Sequence, residues 1–176
     1  MISILRFVGI MNAAVWLGAS IFFTLVAAPS IFSADMRGLL AQNYPYYSGA
    51  IAQIVVARYF VLQHWCGAIA LAHLLIEWLY LGKALEKVTL GLVAGIFSVG
   101  LLGGFWLQPK LKELHRTKYA AQSTAQQRDT AAQSFKAWHG ASQVLNLGVL
   151  VGLIFYTWRT ANPTDVPRFF STSKFQ

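Results

Sequence analysis

The stretch VTLGLVAGIFSVGLLGGFWL, from Val88 to Leu107, contains 20 residues and no charged side chain. A helix of about 20 apolar residues is long enough to cross the ~30 Å hydrocarbon core of a membrane. Inside that core each backbone amide needs an internal hydrogen-bond partner, which a helix supplies. The stretch therefore predicts a membrane-spanning helix.

Further apolar stretches flank it, and together they predict an all-α, integral membrane four-helix bundle that forms one domain over residues 1–176. The composition agrees, because 56% of the residues are hydrophobic and only 11% are charged, against about 25% charged in soluble domains. A water-soluble fold of this size has too little interior for so much apolar surface. The predicted spans cover residues 3–28, 48–81, 88–107 and 138–158.

Prolines and polar segments separate the predicted spans. Pro29 and Pro109 are expected to end the first and third spans, because proline disfavours the helical conformation of the preceding residue. The connection 109–137 is rich in the helix formers Ala, Gln and Lys, which predicts an extramembrane helical hairpin between the third and fourth spans. Residues 160–176 are predicted to form a polar C-terminal tail. No internal repeat is evident.

The formal net charge of +8 raises the question of nucleic acid binding. The Lys and Arg residues lie in loops beside the apolar spans, however, and form no basic stripe with interleaved aromatics. Attraction to anionic headgroups accounts for them, so membrane lipids are the predicted partners and nucleic acid is not. The single Cys66 allows no intrachain disulfide.

Glycine spacing in the third span predicts close helix packing on two sides. Gly91 with Gly95, and Gly100 with Gly104, each form the small-xxx-small pattern that lets membrane helices approach closely. At about 100° per residue the two pairs face nearly opposite directions. This two-sided pattern favours contacts with other membrane protein subunits as well as within the bundle.

Ionisable side chains inside the second span are candidate ligands, because each costs ~2.5 to 3.5 kcal/mol to insert without a partner. His73 and Glu77 lie one turn apart, where a carboxylate orients an imidazole. They are interpreted as a metal or tetrapyrrole ligand, a proton relay, or a local ion pair near the membrane edge. His64 points the opposite way and is a candidate axial ligand for haem or chlorophyll, or a neutral histidine bonded to a neighbouring helix.

A polar stripe begins the fourth span. His139, Gln143 and Asn146 lie within about 60° of one another, with Ser142 alongside. Lipid cannot satisfy these groups, so the stripe is expected to face protein or water. His139 is also a candidate ligand. The predicted partners of the stripe are Asn12 and Ser20 of the first span.

Short motifs near the span ends suggest a family. They are APSIF at 28–32, Tyr-Pro-x-Tyr at 44–47, Trp-Leu-Gln-Pro at 106–109 and the signature of Trp138, His139, Gly140, Ser142 and Asn146. Through them the chain resembles the transmembrane protein 205-like family, also described as domain of unknown function 4149. The resemblance implies a four-span integral membrane protein and, in animals, a link to platinum-drug export and secretory traffic. It implies no catalytic residues.

The sequence predicts a non-catalytic accessory or scaffold subunit of a larger membrane complex. Its residues offer no paired carboxylates, no Ser-His-Asp set, no glycine-rich phosphate loop and no complete metal-ligand set. One alternative is haem, chlorophyll or metal binding through the intramembrane histidines. Another is export of a small solute or metal, although the broken helices or paired repeats typical of transporters are not visible in the sequence.

Overall fold

The computed structural model describes residues 2–82 and 86–162, and these residues contain helices and no strand. Residues 163–176, most of the predicted tail, lie outside the described residues. The helices are α1 (Ile2–Phe22), α2 (Ala28–Ile31), α3 (Ala34–Leu40), α4 (Tyr44–Leu81), α5 (Lys87–Leu102), α6 (Gln108–Tyr119) and α7 (Ala125–Ala161).

Four helical stretches in the described part of the chain are long and apolar enough to cross a membrane. Each predicted span falls on a different one of them. The prediction of an all-α protein with four potential membrane spans is therefore confirmed. The stretches are Ser3–Ile31, Ala34–Tyr80, Lys87–Tyr119 and Ala125–Ala161.

The four long helices pack as a ring in the order α1, α4, α5 and α7. Helices α1 and α5 each contact both α4 and α7, so they lie diagonally across the bundle. The core contains Trp16 and Tyr156, whose rings meet edge to face at 6.1 Å, together with Val93 and Leu153. Apolar burial by all four helices thus fixes the interior.

Both prolines expected to end spans lie within continuous helix, which corrects that expectation. Each follows a π-turn, Phe23–Ala27 before Pro29 and Gly103–Leu107 before Pro109. In these turns the amide of Ala28 donates to the carbonyl of Phe23, five residues back, and Gln108 donates in the same way to Gly103. A proline ring clashes with the carbonyl four residues back in an α-helix, and the wider π-turn relieves that clash.

The order of elements repeats along the chain, although no repeat is evident in the residues. The two π-turns begin at residues 23 and 103, and the prolines stand at 29 and 109, so both pairs are 80 residues apart. Each half continues through shorter helices into a long one, α4 with 38 residues and α7 with 37. The first half (2–81) and the second half (87–161) therefore share one plan.

Burial follows the same 80-residue offset. Trp16 and Ile96 are both buried, as are Ser20 and Gly100. Because one crossing separates α1 from α5, the two helices run in the same direction and the halves are related as parallel repeats. The other matched buried pairs are Gly9 with Thr89, Ala13 with Val93, and Ile31 with Leu111.

Helices α6 and α7 pack against each other after a tight connection at residues 120–124. Thr124 caps α7 by accepting from the amide of Gln127, whose side chain accepts in return from the amide of Thr124. Arg128 donates to the carbonyls of Ala120 and Ala121, each at 3.1 Å. These bonds fix the reversal of the chain between the third and fourth spans.

Candidate functional site

Four polar side chains stand one turn apart on the inner face of α1, and we call them the polar ladder: Asn12, Trp16, Ser20 and Thr24. Residues four apart lie on one face of a helix with a drift of about 40°. The first three are buried and Thr24 is half-buried. The ladder thus carries polar atoms down the interior of the bundle.

The centre of the polar ladder is tied to α4 through Gln63. Trp16 Nε1 donates to Gln63 Oε1, and Gln63 Nε2 donates to Ser20 Oγ at 3.1 Å and to the Tyr59 hydroxyl. Tyr59 donates to Ser20 Oγ at 3.1 Å, and Ser20 donates to the Trp16 carbonyl at 2.8 Å. Every polar atom of the Gln63 amide is bonded, which is the condition for a buried network to stabilise a fold.

The two ends of the polar ladder bond to different helices. Asn12 Nδ2 donates to the Cys66 carbonyl of α4 at 2.9 Å. Asn146 Nδ2 of α7 donates to Thr24 Oγ1 at 2.8 Å. The structure therefore brings Asn146 to the first span at Thr24, whereas Asn12 and Ser20, its predicted partners, bond to the second span.

The rest of the predicted stripe on α7 diverges from Asn146. Ser142 Oγ donates to the carbonyl of His139 in its own helix at 2.6 Å. His139 is exposed and stacks on Phe135 with ring centroids 5.7 Å apart, and Gln143 is also exposed. The inner face of α7 is narrower than the spread of the stripe, so Gln143 falls on the outer flank.

His64 reaches across to α5 and lies over two glycines. Its Nε2 is 3.0 Å from the Gly100 carbonyl, and a Cβ added at Gly104 would be 2.8 Å from its Cε1. The Phe105 ring lies parallel to it, with centroids 5.1 Å apart. Glycine at 104 is thus what lets the imidazole reach the backbone.

His73 makes the same arrangement with α1. Its Nε2 is 2.9 Å from the Leu5 carbonyl, and a Cβ at Gly9 would be 2.5 Å from that nitrogen. In both cases a histidine bonds a carbonyl four residues before a glycine and covers the glycine with its ring. We call this arrangement a histidine notch.

The notches define the state of both candidate ligands in the second span. A carbonyl only accepts hydrogen bonds, so Nε2 carries the proton in each ring and Nδ1 keeps the lone pair. Glu77 is half-buried one turn after His73. Among the described residues, no three His, Cys, Asp or Glu side chains gather into a metal site. Haem, chlorophyll or metal ligation by these residues stays a prediction that an absorption spectrum and metal analysis of purified protein would test.

A third histidine notch, which the sequence did not single out, joins α6 to α4. His115 is buried against Gly49, where an added Cβ would overlap its Nε2. Tyr46, Tyr119 and Phe135 surround the imidazole with ring centroids 5.6, 5.0 and 6.2 Å away. A signal was present, because His115 follows the apolar Leu111 by one turn on an otherwise charged helix.

The surroundings of His115, beyond the apolar part of the third span, favour a neutral ring. Burial lowers the pKa of His115, nearby Lys118 lowers it further, and the Pro45 carbonyl opposes both. Pro45 stands four residues before Gly49, as Leu5 does before Gly9. The third notch therefore repeats the pattern of the first two.

The two glycine pairs of the third span have different surroundings. His64 lies over Gly104 and touches Gly100, and the Phe60 ring occupies the space beside Gly103. Gly91 and Gly95 are exposed, with no atom within 4 Å of an added Cβ. On α7, Gly152 packs on Ile96, whereas Gly148 is open.

This ring of long apolar helices, with polar groups bonded inside it, defines a polytopic α-helical membrane protein. The family model described as a domain of unknown function, DUF4149, matches residues 11–120. The chain belongs to this family. The match covers the first three spans and α6, and the signature at residues 138–146 lies beyond it. Comparison with curated proteins and with solved structures found no match.

Proposed function

We propose that the protein is a non-catalytic accessory or scaffold subunit that binds a transmembrane helix of a partner protein on the outer face of α5. The observation that carries this proposal is the open surface at Gly91 and Gly95. Small residues let membrane helices approach closely. The face is also small at Ser98, which is exposed in the same direction.

The internal repeat supplies a comparison for that face. The positions 80 residues earlier, on the outer face of α1, are Met11 and Val15, which are both exposed. Lipid-facing positions of the first half thus carry large side chains, and the matching positions of the second half carry none. This difference supports a partner helix rather than lipid alone at α5.

The proposal places the α6–α7 hairpin outside the membrane, beside the partner. Its exposed positions carry Lys112, Arg116, Gln126, Arg128 and Asp129, and such residues are costly in hydrocarbon. A polar extension of this kind suits contact with the polar part of another subunit.

The test is purification of the native protein in mild detergent, followed by separation of intact complexes and identification of their subunits. The double variant Gly91→Met with Gly95→Val installs the side chains that the first half carries at the matching positions. We expect it to release the partner while the protein itself stays folded. The matched control is Gly18→Val on α1, where an added Cβ also meets open space.

Two results would contradict the proposal. A wild-type protein that migrates alone, without co-purifying subunits, removes the accessory role. Equal retention of partners by the double variant and by Gly18→Val removes the docking face on α5, whatever the complex.

A second candidate function is export of a small solute or metal, which the resemblance to the transmembrane protein 205-like family implies. The specific observation in its favour is the pair of π-turns at matching positions of two parallel halves. Interrupted helices at corresponding positions of repeated halves are where many transporters bind solute, and π-turns are frequent at functional sites. Equal solute flux in vesicles with and without the protein would eliminate this candidate.

A further inference from the structure

Beyond the partner face, we propose that one turn of α6 and the start of α4 bind the phosphate-bearing headgroup of an anionic phospholipid. The site consists of Lys112 and Arg116 with the rings of Tyr46 and Tyr119. It is independent of the α5 face.

The two cations share one side of α6 with the third histidine notch. At about 100° per residue, Lys112, His115, Arg116 and Tyr119 fall within about 100° of one another. His115 is locked into α4 at Gly49, and Tyr46 of α4 lies against both His115 and Tyr119. The notch therefore holds the cations beside two phenol rings, and Tyr46 is 45% exposed.

The nearby acidic groups leave these two cations unneutralised. Glu113 pairs with Lys110 at 3.8 Å. Asp129 lies on α7 and Asp35 on α3, and no ion pair within the described residues joins either of them to Lys112 or Arg116. Both cations are exposed, so the site has net positive charge.

The depth of the site matches the headgroup layer. Trp106 and Trp138 contact each other at 5.1 Å where the third span ends and the fourth begins, and tryptophan is enriched at the membrane interface. At 1.5 Å per residue, Lys112 lies about 9 Å and Arg116 about 15 Å beyond Trp106. Long basic side chains extend toward the interface, so both reach a lipid phosphate.

Charge at this depth distinguishes anionic from zwitterionic lipid. Each Lys or Arg near an anionic surface contributes favourably, and the effect decays within a Debye length. The two cations should raise the melting temperature of the protein by roughly 4 to 8 °C in anionic lipid.

The experiment measures the melting temperature of the full chain in nanodiscs of phosphatidylcholine, with and without phosphatidylglycerol. We expect phosphatidylglycerol to stabilise the wild type, and the variant Lys112→Gln with Arg116→Gln to lose most of that increase. The control variant is Arg6→Gln with Lys87→Gln, which removes two exposed cations from the opposite end of the bundle and should keep most of it.

Three results would overturn the site. They are no increase for the wild type, an unchanged increase in the Lys112→Gln, Arg116→Gln variant, or an equal loss in the control variant, which would indicate unspecific charge. Inorganic phosphate added to phosphatidylcholine nanodiscs separates the two sources of phosphate. If it reproduces the increase, the ligand is a soluble phosphate and the lipid assignment is wrong.

Discussion

Asn146 of α7 donates a hydrogen bond to Thr24 Oγ1 of α1 at 2.8 Å, and so joins the first and last long helices. The position 80 residues after Thr24 is Gly104, which His64 of α4 covers. Each long helix therefore places a polar side chain against the π-turn of the other half. The two contacts between the halves are equivalent in position and different in chemistry.

The Asn146 to Thr24 bond should show measurable coupling. We expect Thr24→Val and Asn146→Leu each to destabilise the protein, and the double variant to be less unstable than their sum. The coupling energy should be about 0.6 kcal/mol, the average for such bonds in a membrane. Reversible unfolding in mixed micelles of all four proteins measures it, and strict additivity would show that the bond contributes nothing.

Gln63 should be the most sensitive polar position of the interior. Gln63→Leu leaves Trp16 Nε1 without its acceptor and removes two donors from the Tyr59 and Ser20 hydroxyls, at a cost of about 1 to 3 kcal/mol. Gln143→Leu is the matched control, because the same change 80 residues later falls on an exposed side chain. Thermal unfolding of both variants checks this, and an equal effect would argue against the network.

Gly9 should not tolerate a methyl group. In Gly9→Ala the new Cβ would meet His73 Nε2 at 2.5 Å, so the imidazole has to leave the Leu5 carbonyl. We expect a loss of about 1 to 3 kcal/mol, as for other overpacked interiors. Gly18→Ala, on the same helix with open space around it, should be neutral. Equal stability of the two variants would show that the notch is not tight.

The pH dependence of stability should report on His115. Burial lowers the pKa of His115 below its ordinary value of 6.5 in the folded protein, so the unfolded chain binds more protons as the pH falls. Its contribution is therefore complete above pH 6.5 and is lost from there down toward the lower folded pKa. His115→Gln should flatten the unfolding curve between about pH 6.5 and 5 relative to the wild type. Parallel curves for both proteins would mean that His115 is not buried as described.

Hydropathy and length sufficed to predict the helical class and the four potential spans, because a membrane helix must be long and apolar whatever it contacts. The polar stripe on α7 was less predictable. Its angular width could be calculated from the residues, but the direction of the bundle interior could not. Asn146 therefore falls inside and Gln143 outside, although three residues separate them.

The repeat and the histidine notches could not be predicted for a related reason. Lipid-facing and interior positions accept many apolar residues, so the halves share burial and turns while sharing few identities. A notch joins residues far apart in sequence, such as His73 and Leu5, and a glycine in one helix gives no sign of the ring that covers it.

The shared plan of the two halves has one more consequence. Residues 82–86 are the only covalent link between the hairpin of α1 with α4 and the hairpin of α5 with α7. A chain of half this length, inserted twice in the same direction, would close an identical ring as a symmetric pair. Fusion into one polypeptide frees each copy to diverge, so that one sheds its bulk from the outer surface while the other keeps it.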